Sequence, residues 1–248
     1  MKKRLSCVIL IALLIATASG CAPKSRAPEN RYLELSSGEK IQMFLLNPTE
    51  KGVEDFTKRC DKLRPDTALG NVFNVTPLEY VALYDFQIFR EDHNNACFML
   101  FDGEIYIIGK GFGSSGVTSF ALADVDGDGS DELYYAFTWG SGMIRSMIGC
   151  FDFGTKTTYS FDLESFAEGL AVGIDSKGAV VVCTADVFGL YISKPEDVPE
   201  IKLKKVVATV SFAFDQTILD YSDPEWHENC MSWMGIYLPE ETSSEASE

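Results

Sequence analysis

The clearest chemistry in this chain lies in nine residues, Asp124-Val125-Asp126-Gly127-Asp128-Gly129-Ser130-Asp131-Glu132. Counted from Asp124, carboxylates fall at positions 1, 3, 5 and 9 (Asp124, Asp126, Asp128 and Glu132), with Gly127 and Gly129 where the backbone must bend. That spacing wraps oxygens around a cation. Calcium takes six to eight hard oxygen ligands at about 2.3–2.6 Å, and four carboxylates plus the Ser130 carbonyl suit it. An EF-hand is excluded, because that loop needs a bidentate Glu at position 12 and Tyr135 stands there, inside the apolar run LYYAF.

Other constellations are weaker. Gly111-Phe112-Gly113-Ser114-Ser115-Gly116 matches G-x-G-x-x-G, but a dinucleotide site needs the third glycine to open a helix whose N-terminus holds the pyrophosphate. The acidic loop follows too soon and would repel phosphate, so no nucleotide is expected. Trp139, Gly140, Gly142 and Arg145 follow the strand after the loop, placing an aromatic and a cation near the metal site. Trp139 and Arg145 are therefore a possible ligand surface, although Leu133, Tyr135, Phe137 and Trp139 alternate as core residues would. Catalysis has thin support. The two histidines, His93 and His227, sit among acidic residues, and no GxSxG elbow occurs. A metal site of His227, Glu225 and Glu228 reads more simply as solvated surface charge, and Cys150 reads as a core thiol.

The acidic loop with its following strand resembles the calcium loops of FG-GAP and VCBS repeats, found in integrin-type β-propellers, where DxDGDGxxD precedes a hydrophobic strand. The resemblance covers about residues 105–160, one blade's worth, with Glu132 in place of the usual Asp. It implies that Asp124, Asp126, Asp128 and Glu132 are ligands. Such propellers repeat the loop, whereas no second DxDxDG occurs here, so a propeller-like closure and a smaller sandwich both stay open.

The elements that must position this loop read as mainly β: an antiparallel meander, propeller-like or sandwich, with one short N-terminal helix. That helix is expected in residues 48–63, where Val53, Phe56, Cys60 and Leu63 share a face behind a Thr49 cap. From Asn71 onward, short runs rich in Val, Ile, Phe and Tyr alternate with turn signals. Asp102-Gly103 predicts a type I′ hairpin between CFMLF and EIYIIG. Gly154-Thr155 and Asp175-Ser176-Lys177-Gly178 predict two further turns, and residues 203–214 another strand or pair of strands. Cys60, Cys97, Cys150, Cys183 and Cys230 are odd in number and irregularly spaced, which predicts buried free thiols rather than a disulfide framework.

The N-terminus reads as an export signal. Lys2, Lys3 and Arg4 precede an apolar run from Val8 to Ala16, too short to cross a bilayer as a helix. Ala18-Ser19-Gly20-Cys21 resembles the lipobox of bacterial lipoproteins, in which the cysteine receives a diacylglyceryl group before the peptidase cuts. The family usually has leucine where Ala18 stands. The resemblance implies lipidation of Cys21 and two acyl chains, which anchor far better than one. The expected organisation is a signal peptide (1–20), a flexible stalk (21–30), a mainly β domain with the calcium loop (31–239) and a disordered acidic tail (240–248).

Removing the three cations of residues 1–20 moves the formal charge from −16 to −19. That balance argues against nucleic acid and against a polybasic grip on lipid. The expectation is a lipid-anchored protein at the outer face of a bacterial membrane, its β domain stabilised by calcium. It would bind an extracellular protein or glycan, or serve a structural role. The alternative is a secreted hydrolase acting on glycan or peptidoglycan, with structural calcium.

Overall fold

The computed structural model describes residues 31–63, 69–81, 83–92, 96–111, 116–140, 144–166, 168–188 and 200–233. The signal segment, Cys21 and the stalk lie outside the described residues, as do His93, residues 112–115 and 141–143, and the acidic tail.

The strands fall into three successive antiparallel meanders, as the alternating runs and turn signals predict. A leading hairpin, β1 (Arg31–Glu34) and β2 (Lys40–Leu45), precedes helix α1 (Val53–Leu63). The first meander is β3 (Val72–Asn74), β4 (Phe86–Glu91), β5 (Cys97–Phe101) and β6 (Glu104–Gly109), with a one-turn helix α2 (Leu78–Val81) between β3 and β4. The second is β7 (Gly116–Ala123), β8 (Glu132–Trp139), β9 (Arg145–Asp152) and β10 (Thr157–Phe166). The third is β11 (Gly169–Ile174), β12 (Val180–Phe188), β13 (Glu200–Ala213) and β14 (Gln216–Tyr221), followed by α3 (Pro224–Trp233).

Strand β2 joins the second and third meanders into one sheet, pairing Phe44 with Phe120, Leu45 with Ser119 and Gln42 with Ile174. The order is β10-β9-β8-β7-β2-β11-β12-β13-β14, with β1 on β2. This sheet curls until it nearly closes as a barrel. Its end strands meet through a hydrogen bond between Tyr159 and Thr217, and α3 packs against β10 beside that seam.

The apolar run of β8 is explained by burial on both faces. Successive side chains of a strand point to opposite sides. Leu133, Tyr135 and Phe137 therefore pack with Ile88, Met99 and Ile108 of the first meander. Tyr134 and Ala136 face the barrel interior with Cys150, Leu170, Val182, Val207 and Trp226. The five cysteines of the domain are free and buried, as expected.

Two helical expectations need correction. Helix α1 forms, with Phe56 and Cys60 buried and the Phe56 ring stacked on Phe89 at 4.0 Å, but Thr49 does not cap it. The Thr49 hydroxyl accepts the Lys51 N–H, while the carbonyl of Gly52, at φ +78°, accepts the Phe56 N–H and starts the helix. Leu63 stays exposed, so the buried stripe ends at Cys60. In place of one helix, the described residues hold three. Helix α3 had a readable start: Asp223 accepts the Trp226 N–H at 2.9 Å and Pro224 occupies the first position, where its missing N–H is harmless.

The turns follow the same physics with two exceptions, the first being Lys156 of the β9–β10 turn at φ +58°. Asp102 and Gly103 take φ of +48° and +80°, as a type I′ turn demands. In the β9–β10 turn the Asp152 carboxylate accepts the Gly154 and Thr155 N–H groups. The β13–β14 turn places Phe214 and Asp215 at φ +55° and +59°, a left-handed pair with no glycine to announce it.

Candidate metal centre

Ala123 and Glu132 are register partners, so β7 and β8 clamp residues 124–131 as a hairpin connection. Within it, one carboxylate oxygen each from Asp124, Asp126, Asp128 and Glu132 lies within 4.8 Å of the others. Among the described residues this is the one group of three or more acidic, His or Cys side chains so gathered. The four are the residues singled out by spacing alone.

The backbone turns inward on these carboxylates. Gly127 N–H and Gly129 N–H donate to the two oxygens of Asp124 at 2.8 and 3.0 Å. Asp128 N–H donates to Asp126 Oδ1 at 3.0 Å, and Ser130 N–H to Asp128 Oδ1 at 2.7 Å. Gly127 and Gly129 take φ of +77° and +92°, with open space where a Cβ would point. Their requirement is therefore conformational rather than steric. Asp131 turns away from the group and accepts the Tyr84 hydroxyl at 3.0 Å.

Glu132 differs from the three aspartates in being buried, at 3% exposed. Burial raises its pKa, and repulsion from Asp126 and Asp124 pushes the same way, against hydrogen bonds from the Val125 N–H and the Tyr134 hydroxyl. Both donors reach Oε2 at 3.0 Å. Tyr134 belongs to the barrel interior beside Cys150, whose thiol burial pushes up to about 12. Cys150 is thus a core thiol.

An acid buried among like charges is stabilised by a bound cation or by a proton. The donor set is all hard oxygen, with three carboxylates near solvent and a fourth fixed from the core. Those residues suit calcium better than a thiophilic metal.

The remaining sequence candidates do not join this site. Trp139 and Arg145 are register partners at the far end of β8, seven residues from Glu132 and so roughly 23 Å along the strand. The expectation that they lie near the loop is corrected by the extended backbone itself. Trp139 is half-buried, 5.8 Å from the Phe137 ring, and covers Gly111, where a Cβ would fall 2.6 Å from its own. Arg145 is exposed. His227 stacks on Tyr221 at 3.8 Å, and with Glu225 and Glu228 it forms no ligand group.

Sequence reasoning missed the supports of the loop. Tyr134, two residues from Glu132, could have been placed on the same strand face by alternation. Tyr84, 47 residues before Asp131, gave no local signal. Comparison with protein-family models, with curated proteins and with solved structures finds no match to this chain, so the functional reading stands on its residues and their geometry.

Proposed function

We propose that the protein is an exported lipoprotein, held by Cys21 at the outer face of a bacterial membrane, whose β domain is braced by calcium and acts as a binding or structural module. The observation that carries the calcium reading is the convergence of Asp124, Asp126, Asp128 and Glu132 within 4.8 Å, the fourth of them buried. The ion would be held by these four carboxylates with the Ser130 carbonyl. It would relieve their mutual repulsion and fix the β7–β8 connection, and Glu132 would pass that rigidity to the core through Tyr134. The anchor reading rests on the charged, apolar and lipobox order of residues 2–21. Among the described residues no helix is long and apolar enough to cross a membrane.

Calcium should raise the melting temperature of the purified mature domain. At free calcium about 100 times the dissociation constant, linkage contributes about 2.7 kcal/mol. Asp126→Ala with Asp128→Ala should abolish that increment. The matched pair Asp220→Ala with Asp223→Ala should lower the baseline, because Asp223 caps α3 and pairs with Lys205, yet leave the calcium increment whole. A parent indifferent to calcium and chelator would refute the site. Separately, Cys21→Ser should remove acyl label and membrane retention in a bacterial host; label retained by the variant would exclude the anchor.

A further inference from the structure

Leu78, Val81 and Leu83 present an exposed apolar surface beside residues held by backbone hydrogen bonds. Leu78 is 57% exposed, Val81 49% and Leu83 73%. The Pro77 carbonyl accepts the N–H groups of Tyr80 and Val81, and the Tyr80 carbonyl those of Leu83 and Tyr84. Tyr80 roots the segment in the core, stacked on Phe44 at 4.9 Å, and Tyr84 holds its other end to Asp131 of the acidic loop. Three large apolar side chains close together in sequence thus stand in water, as at a contact surface.

We propose that this surface, formed by Leu78, Val81 and Leu83, seats in the lipid leaflet that holds the acyl chains of Cys21; the proposal rests on the lipoprotein reading. The length and origin of the tether select this occupant. Arg31, the first described residue, opens β1 and pairs with Met43 of β2, the neighbour of Phe44, so the stalk leads into the strand beside the one on which Tyr80 of α2 stacks. The ten residue steps from Cys21 to Arg31 span at most about 35 Å. A domain of this size has a radius of gyration of about 16 Å, so the tether keeps this region permanently close to lipid. Leu78, Val81 and Leu83 then occupy the headgroup and acyl boundary, about 5–10 Å deep. The net charge of the domain disfavours anionic lipid, so an uncharged leaflet is the surface it fits.

The test uses the full lipidated chain reconstituted into phosphatidylcholine vesicles, with Leu83→Cys carrying an environment-sensitive fluorophore. The native thiols Cys97, Cys150 and Cys183 are buried and pushed up to about 11, 12 and 12, so they compete poorly for the label. Lipid bearing a nitroxide should quench the probe at position 83 several-fold more than a probe at Phe214→Cys, a 93% exposed site on the third meander. Adding Leu78→Glu and Val81→Glu should reduce quenching at 83 to the level at 214. Equal quenching at both sites, or quenching unmoved by the glutamates, overturns the proposal. So does a probe shielded in a concentration-dependent way without lipid quenching, which would point to a second copy of the chain. If the parent carries acyl label but position 83 stays unquenched, docking alone fails; if the label is absent, the anchor reading fails and docking falls with it.

Discussion

The two ends of β8 are built from similar material and answer to different physics. At one end Glu132 is buried, accepts two hydrogen bonds and still faces three neighbouring carboxylates. At the other, the hydroxyls of Thr138 and Ser146 pair at 2.9 Å and Trp139 lies over Gly111, so polar and apolar groups are matched within the protein. The first end is incomplete without a cation or a proton; the second already has its partners. Residues seven apart, expected from the sequence to lie close together, become two separate regions because a strand rises roughly 3.3 Å per residue.

Glu132→Ala should give the largest effect at the incomplete end. It leaves the Val125 N–H and the Tyr134 hydroxyl without their acceptor, at about 1–3 kcal/mol for each donor that stays buried and unpaired. It should also remove the calcium increment. Denaturant unfolding with calcium and with chelator separates the two losses.

The pH dependence carries a definite sign. In chelator the folded-state pKa of Glu132 is raised, so the native state binds this proton more tightly than the unfolded chain does. The resulting stabilisation is present below the ordinary carboxylate pKa and is lost as pH rises through the raised value. The parent should therefore gain on Glu132→Gln as pH falls through the carboxylate range. A parent that loses ground instead would mean that hydrogen bonding outweighs burial and repulsion at this residue.

Trp139→Ala tests the completed end. The side chain is half-buried against Phe137, so the expected loss is about 1–3 kcal/mol, below the 3–5 typical of a fully buried aromatic. The calcium increment should survive in full. A variant that lost both stability and calcium response would join the two ends after all.

What was legible in the sequence follows the range of the interactions. The acidic loop could be read because its ligands lie within nine residues and its glycines mark the left-handed backbone. The Asp102-Gly103 hairpin was legible for the same reason. Helix α3 was legible but passed over: Asp223, Pro224 and Glu225 form a start signal, and Trp226 and Cys230 share a buried face. The splice of β2 between β7 and β11 was not legible. It rests on Phe44 meeting Phe120 and Gln42 meeting Ile174, pairings that only the closed structure selects. The left-handed Phe214 was hidden too, since an aromatic there works against local preference. The glycine-rich residues 112–115 lie outside the described residues.

Arg145→Ala should be the mildest change and the sharpest test of separation. Arg145 is exposed at the first residue of β9, and interactions of an exposed charged side chain contribute at most about 1 kcal/mol. If its charge reached the acidic loop, it would repel calcium, and its removal would tighten calcium binding. The strand-length separation of roughly 23 Å is nearly three Debye lengths at physiological ionic strength, where screening acts over about 8 Å. Calorimetric titration of calcium should therefore give the same affinity for the parent, for Arg145→Ala and for Arg145→Glu. A graded series, with affinity rising from parent to alanine to glutamate and the spread widening at low salt, would show that the field of Arg145 extends along β8 to Glu132. The two ends would then have to be treated as one electrostatic unit.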